Sequence, residues 1–76
     1  MSKATKEKIR NAHMAEIEKG EWDELGIEKF CINEYQFRFV KGKNRLDYYP
    51  TSGKYFDLNL AKWGYCLVSE IQYLVE

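Results

Sequence analysis

The chain has 76 residues, of which 45% are hydrophobic and 16% aromatic, and its 12 basic and 12 acidic residues give a formal net charge of zero. This length predicts one small domain, residues 1–76, with a limited core, and the aromatic content excludes an intrinsically disordered chain. The charge balance argues against a surface that binds phosphates over its whole extent, although residues 35–62 carry six basic residues and only two acidic ones.

The N-terminal segment, residues 2–19, has the composition of a helix. It is rich in Ala, Lys and Glu, it contains neither Gly nor Pro, and Gly20 follows where a helix C-cap is expected. We predict a helix over residues 2–19 and one further turn over residues 21–25. The apolar stripe of the helix is thin; it consists of Ile9, Ala12, His13 and Ile17.

A change to a period of two residues marks the start of a sheet. Residues 27–32 predict a short strand, and residues 35–40 alternate aromatic with polar side chains, which is a stronger strand signal. A turn that contains Gly and Asn precedes a strand predicted over residues 45–49, and a turn that contains Pro and Gly precedes one predicted over residues 54–58. The sequence therefore predicts an antiparallel meander of three strands, or of four if residues 27–32 join it.

The C-terminal segment predicts a second helix. Residues 59–64 are predicted as a loop, and residues 65–75 as a helix because their apolar residues follow helical spacing. A bare meander buries too little apolar surface to be stable, so this helix should pack on one face of the sheet. The predicted fold is α+β: an N-terminal helix, the meander and a C-terminal helix. The stripe expected to pack on the sheet is Leu67, Ile71, Leu74 and Val75.

A run of carboxylates after the first predicted helix is the first candidate site. If Trp22 is exposed within this run, its large ring is a natural anchor for a partner. The surrounding carboxylates would then steer a partner that has a basic surface. The alternative is a solvated helix end, with Trp22 buried between the helix and the sheet. This candidate surface consists of Glu18, Glu21, Trp22, Asp23 and Glu24.

Basic and aromatic residues alternate across the predicted hairpins, residues 38–62, and form the second candidate site. Proteins that bind single-stranded nucleic acid combine Lys and Arg, which contact phosphates, with aromatic rings that stack on bases. The same pattern also suits an ordinary sheet, whose aromatic residues form the core and whose lysines protect the edges. The candidate nucleic-acid residues are Arg38, Lys41, Lys43, Arg45, Tyr49, Lys54 and Tyr55.

Residues that could support catalysis or bind a metal are scarce. His13 is the one histidine, too few for a zinc site, and Gly53-Lys54 lacks the rest of a P-loop. Asp47 and Asp57 could face each other across two strands, but a chain this short seldom encloses a catalytic cleft. We therefore expect no enzymatic activity, no cofactor and no bound metal.

The two cysteines and the N-terminal residues bear on the cellular compartment. Small secreted domains held by disulfides usually have more cysteines than two; we expect Cys31 and Cys66 to be buried thiols, with a redox-sensitive pair as the alternative. The first ten residues lack the apolar run of a signal peptide. No segment approaches the length of a membrane span. We expect a cytoplasmic protein, located in the host cytoplasm if a phage encodes it, with no membrane association.

One stretch of the sequence, residues 35–64, combines several distinctive motifs. A strand ends in Asp-Tyr-Tyr-Pro at residues 47–50, a Thr-Ser-Gly-Lys-Tyr turn follows at residues 51–55, and Trp63-Gly64 comes later. This stretch resembles small uncharacterised proteins of bacteriophages and prophages. The resemblance implies an accessory protein that binds and modulates a host or phage macromolecule, for example as an inhibitor of a host defence system such as a CRISPR effector. A protein partner is the first expectation, and nucleic acid is the alternative.

Overall fold

The computed structural model describes residues 3–76 and has an α+β architecture, as the sequence predicts. The predicted helix start at Ser2 lies outside the described residues. Within residues 3–76, no helix has the length and apolar character needed to cross a membrane. The elements in chain order are α1 (Lys3–Lys19), β1 (Glu28–Asn33), β2 (Gln36–Lys41), β3 (Asn44–Tyr49), β4 (Lys54–Asp57), β5 (Lys62–Tyr65), a 3₁₀ turn (Val68–Glu70) and α2 (Ile71–Leu74).

The C-terminal end of α1 is capped by the residues that follow it. The backbone N–H of Gly20 donates to the carbonyl oxygen of Ile17 at 3.2 Å, and the indole N–H of Trp22 donates to the same oxygen at 2.8 Å. Both bonds satisfy a carbonyl that an α-helix leaves without an internal partner at its end. Glycine is required at position 20, because a Cβ there would lie 2.5 Å from the indole nitrogen.

The strands form one antiparallel sheet in the order β1-β2-β3-β4-β5. The predicted meander is confirmed, and its register places Phe37 opposite Tyr48 and Phe39 opposite Leu46. The short strand predicted over residues 27–32 is confirmed as β1, which pairs with β2. The sheet therefore has five strands, whereas the sequence predicts three or four.

The sheet has one covered face and one open face. The residues on the covered face of β2 and β3 are buried, and they form the core together with Ile17 of α1 and with Ile71 and Val75 of the C-terminal segment. Because successive residues of a strand point to opposite faces, the alternate residues form the open face, where most side chains stay partly or fully exposed.

The C-terminal segment differs from the prediction. A strand, β5, occupies part of the predicted loop, and the predicted helix over residues 65–75 is reduced to the 3₁₀ turn and the four residues of α2. Ile71 and Val75 are buried as expected, but Leu67 is 63% exposed, so its predicted packing on the sheet is wrong.

The position of β5 depends on close packing against β4. A Cβ at Gly64 would lie 2.6 Å from the ring of Tyr55, directly opposite on β4. The absence of a side chain at Gly64 therefore lets the Tyr55 ring lie across β5. The glycine that suggests a loop in the sequence is thus the residue that allows the fifth strand to pair.

Candidate functional site

The centre of the open face is occupied by a polar network. The guanidinium of Arg38 donates two hydrogen bonds to the carboxylate of Asp47, of 2.7 and 3.2 Å, and the side-chain amide of Gln36 donates a third of 2.9 Å. The hydrogen bond and the charge of Asp47 raise the pKa of Arg38. Arg38 was predicted to contact nucleic acid, but two of its five N–H donors, and its charge, are directed to a neighbouring carboxylate.

An aromatic cluster lies beside this network, on β3, β4 and β5. The ring of Trp63 lies 4.7 Å from that of Phe56 and 5.8 Å from that of Tyr49, measured between centroids. The ammonium of Lys54 lies 4.6 Å from the centroid of Trp63, within the range of a cation–π interaction. Trp63 nevertheless remains 56% exposed. The cluster therefore presents a fixed aromatic surface, with a cation beside it, to solvent.

The cluster forms one wall of a groove of about 750 Å³. The N-terminal half of α1 contributes a lysine and an apolar residue, the β1–β2 turn contributes Tyr35, and the last residue of β5 contributes Tyr65. Arg10 lies just outside, with its guanidinium carbon 5.9 Å from the centre of the Tyr35 ring. We call this feature the aromatic groove; it is lined by Lys6, Ile9, Tyr35, Tyr49, Thr51, Ser52, Lys54, Trp63 and Tyr65.

The structure divides the residues predicted to bind nucleic acid. Tyr49 and Lys54 lie in the aromatic groove. Tyr55 is partly buried against the core, and Lys41 lies 3.8 Å from the carboxylate of Glu76. Lys43 and Arg45 are exposed outside the groove, and the last of the seven, Arg38, is paired with a carboxylate as described above. The predicted set is therefore not one surface.

Sequence reasoning missed several residues of the groove. Trp63 and Tyr65 alternate along the chain, which is a strand signal, but the predicted loop obscured it. Tyr35 lies in a turn and Lys6 in a helix, so only the folded chain brings them to β5.

The expectation that Trp22 is an exposed anchor is wrong. Its side chain is only 7% exposed, and its ring packs against that of Phe39 at a centroid distance of 4.7 Å. The cap on α1 and this contact hold it between the helix and the sheet, as the alternative interpretation proposed. The other four residues of the predicted acidic surface are exposed, and none forms a salt bridge within residues 3–76; they are Glu18, Glu21, Asp23 and Glu24.

A second groove, of about 450 Å³, lies next to the buried indole. The end of α1 and the loop after it form one side, and residues of the 3₁₀ turn and α2 form the other. We call it the acidic groove because two carboxylates border it. Its lining residues are Glu16, Lys19, Gly20, Glu21, Trp22, Leu25, Val68, Ser69 and Gln72.

The residues considered for catalysis do not converge. Asp47 pairs with Phe56 and Asp57 with Leu46, so the two aspartates point to opposite faces of the sheet and the expected facing pair is wrong. A nitrogen of the His13 ring lies within hydrogen-bond distance of the carbonyl oxygen of Pro50. Within residues 3–76, no three His, Cys, Asp or Glu residues are grouped as metal ligands.

The two cysteines are free thiols in different surroundings. Cys31 is exposed on the edge strand β1, so the expectation that it is buried is wrong. Cys66 is partly buried, and this burial raises the pKa of its thiol to about 12. Because the thiolate is the reactive form, Cys66 is the less reactive of the two.

Comparisons with known proteins add no family assignment. No protein-family model matches the chain, and neither the search of curated proteins nor the search of solved structures gives a significant match. The resemblance of residues 35–64 to phage proteins therefore stays a prediction.

Proposed function

We propose that this protein is a non-enzymatic binding module that holds a single-stranded nucleic acid in the aromatic groove. One observation carries the proposal: four separate segments bring aromatic rings and cations together in one open groove. Its volume falls within the range of about 300–1,000 Å³ that is typical of ligand pockets.

The exposed rings of the groove suit base stacking. Tyr35 is 57% exposed, Trp63 56% and Tyr65 73%. Every base has a π-face, and stacking one base on an aromatic side chain contributes about 1–3 kcal/mol. Trp63 is held in place by its neighbours, so little side-chain freedom is lost when a base stacks on it.

The cations of the groove favour an anionic ligand over a neutral peptide. Lys6 and Lys54 line the groove, and Arg10 lies beside Tyr35. Phosphates that follow the stacked bases would meet these three side chains. An apolar or proline-rich peptide could use the rings but would bring no negative charge to these cations.

The charge count predicts a moderate salt dependence. Each phosphate contact on a single strand contributes about −0.7 to the slope of log affinity against log salt. Three cations therefore predict a slope of about −2. A duplex would bind more weakly, because its bases are stacked on each other and their faces are not available to the rings.

A phage-type accessory role is compatible with this proposal. Nucleic acid of the host or of the phage would then be the macromolecule that the protein binds.

Binding of a labelled oligothymidylate of about ten nucleotides tests the proposal. Fluorescence anisotropy at low salt should show binding, and an unlabelled duplex should compete poorly. Tyr65→Ala should weaken binding about tenfold, which corresponds to the loss of one stacked base.

A matched control is Tyr73→Ala, because Tyr73 is 67% exposed but lies in α2, outside both grooves. It should leave the affinity unchanged. In the same way, Lys54→Gln should weaken binding, whereas Lys43→Gln in the β2–β3 turn should not. Absence of binding to single-stranded DNA and RNA at low salt, or equal effects of Tyr65→Ala and Tyr73→Ala, would contradict the proposal.

A further inference from the structure

The acidic groove has an apolar floor that is held in shape by the fold. The indole of Trp22 and the side chain of Val68 form part of this floor, and both are almost fully buried. The indole is fixed by its hydrogen bond to α1 and by its contact with Gly20. Leu25, which is partly exposed, borders the same floor. Because Trp22 and Val68 are almost fully buried, the apolar surface that a ligand could contact is mainly that of Leu25, which is 40% exposed.

Unpaired carboxylates border this apolar floor. Glu16 and Glu21 line the groove, and the only cation among its lining residues is Lys19. Three more carboxylates are exposed in the same segment, and no salt bridge within residues 3–76 involves any of the five. The three are Glu18, Asp23 and Glu24.

The position of these charges is unfavourable for α1. A helix dipole places partial negative charge at the C-terminal end, where cations stabilise the helix and carboxylates destabilise it. Glu16 and Glu18 lie in the last turn of α1 beside a single cation, Lys19, and no acidic residue lies in its first turn. Helix stability therefore does not explain Glu16 and Glu18, whereas binding of a cationic ligand at this end would.

We propose that the acidic groove binds a basic amphipathic helix of a protein partner. An apolar row of such a helix would cover Leu25 and the small exposed edges of Trp22 and Val68, and Lys or Arg residues on its flanks would meet the carboxylates. A helix fits better than an extended segment. The groove is formed by side chains and helix ends rather than by a strand edge, so an extended backbone would find no ladder of hydrogen-bond partners.

A synthetic amphipathic peptide of Leu and Lys, about four helical turns long, is the probe. Titration of the isotope-labelled protein, followed by NMR, should shift the amide signals of Gly20, Leu25 and Ser69. The same peptide with Glu in place of Lys should not bind. Leu25→Gln should weaken binding several-fold by making the floor more polar.

Two double variants with the same change in net charge distinguish binding at the acidic groove from general electrostatic attraction between the peptide and the protein. The Glu16→Lys/Glu21→Lys variant should bind the Leu/Lys peptide at least tenfold more weakly. Its melting temperature should be unchanged or higher, because a carboxylate is removed from the C-terminal end of α1. Glu7→Lys with Glu34→Lys should leave the affinity nearly unchanged, because both residues lie outside the groove. Equal losses in the two double variants, or no binding of the Leu/Lys peptide, would overturn the proposal.

Discussion

The two tryptophans should respond in opposite ways to the same substitution. Trp22 is buried and caps α1, whereas Trp63 is more than half exposed in the aromatic groove. Trp22→Ala should therefore lower the free energy of unfolding strongly without changing the affinity of the folded protein for an oligonucleotide. Trp63→Ala should lose affinity and keep most of the stability.

The size of the Trp22→Ala effect follows from its contacts. Removing a buried aromatic side chain costs about 3–5 kcal/mol. The lost indole hydrogen bond adds about 1 kcal/mol, and no more, because the backbone N–H of Gly20 still donates to the carbonyl of Ile17. A domain of this length has a free energy of unfolding of about 4–11 kcal/mol. The variant should therefore lose roughly half or more of its stability.

Urea denaturation followed by circular dichroism measures this loss. Trp22→Phe keeps a ring against Phe39 and should lose only about 1–2 kcal/mol. Trp63→Ala should also lose about 1–2 kcal/mol, because less than half of that side chain is buried. Equal free energies of unfolding for Trp22→Ala and Trp63→Ala would contradict the difference in burial between the two side chains.

Three further predictions concern β5 and the thiols. Gly64→Ala should lower the free energy of unfolding by about 1–3 kcal/mol in a urea titration, because its Cβ would overlap the ring of Tyr55; an unchanged midpoint would contradict the close packing of β4 and β5. A thiol reagent at neutral pH should modify Cys31 quickly and Cys66 much more slowly, and equal rates would contradict the difference in burial. Because the pKa of Cys66 is raised to about 12 in the folded state, the free energy of unfolding should fall as the pH rises above the ordinary thiol value of about 8.5.

The sequence predicts the parts of this fold that have strong local patterns. The helix α1 and the strands β2, β3 and β4 have clear periodicity and clear turn residues, and all four form as predicted. The strand β5 has only four residues with a glycine among them, so its local signal is weak. It forms because Gly64 lets the ring of Tyr55 lie across it, which is a property of the folded chain.

The candidate site was only partly predictable for the same reason. Tyr49 and Lys54 lie on a predicted hairpin, but Trp63 reaches them only through the pairing of β5 with β4. The burial of Trp22 likewise depends on the absence of a side chain at Gly20. Local composition shows which residues could stack or pair, but tertiary packing decides which of them stay exposed.

The N-terminal half of α1 lines the aromatic groove and its C-terminal end lines the acidic groove, so the charges of one helix contribute to both. Four of the five basic residues of α1 lie in its N-terminal half and two of its three carboxylates lie in its last turn, which is largely the reverse of what the helix dipole favours. The four basic residues are Lys3, Lys6, Lys8 and Arg10. Exchanging the charges with Lys6→Glu and Glu16→Lys keeps the net charge at zero. The exchange should stabilise the protein by about 1 kcal/mol, which corresponds to a rise of several degrees in melting temperature. The same variant should bind both the oligonucleotide and the Leu/Lys peptide more weakly, because each groove loses a charge that its ligand requires. An unchanged melting temperature together with unchanged affinities for both ligands would show that the order of charges along α1 contributes to binding in neither groove.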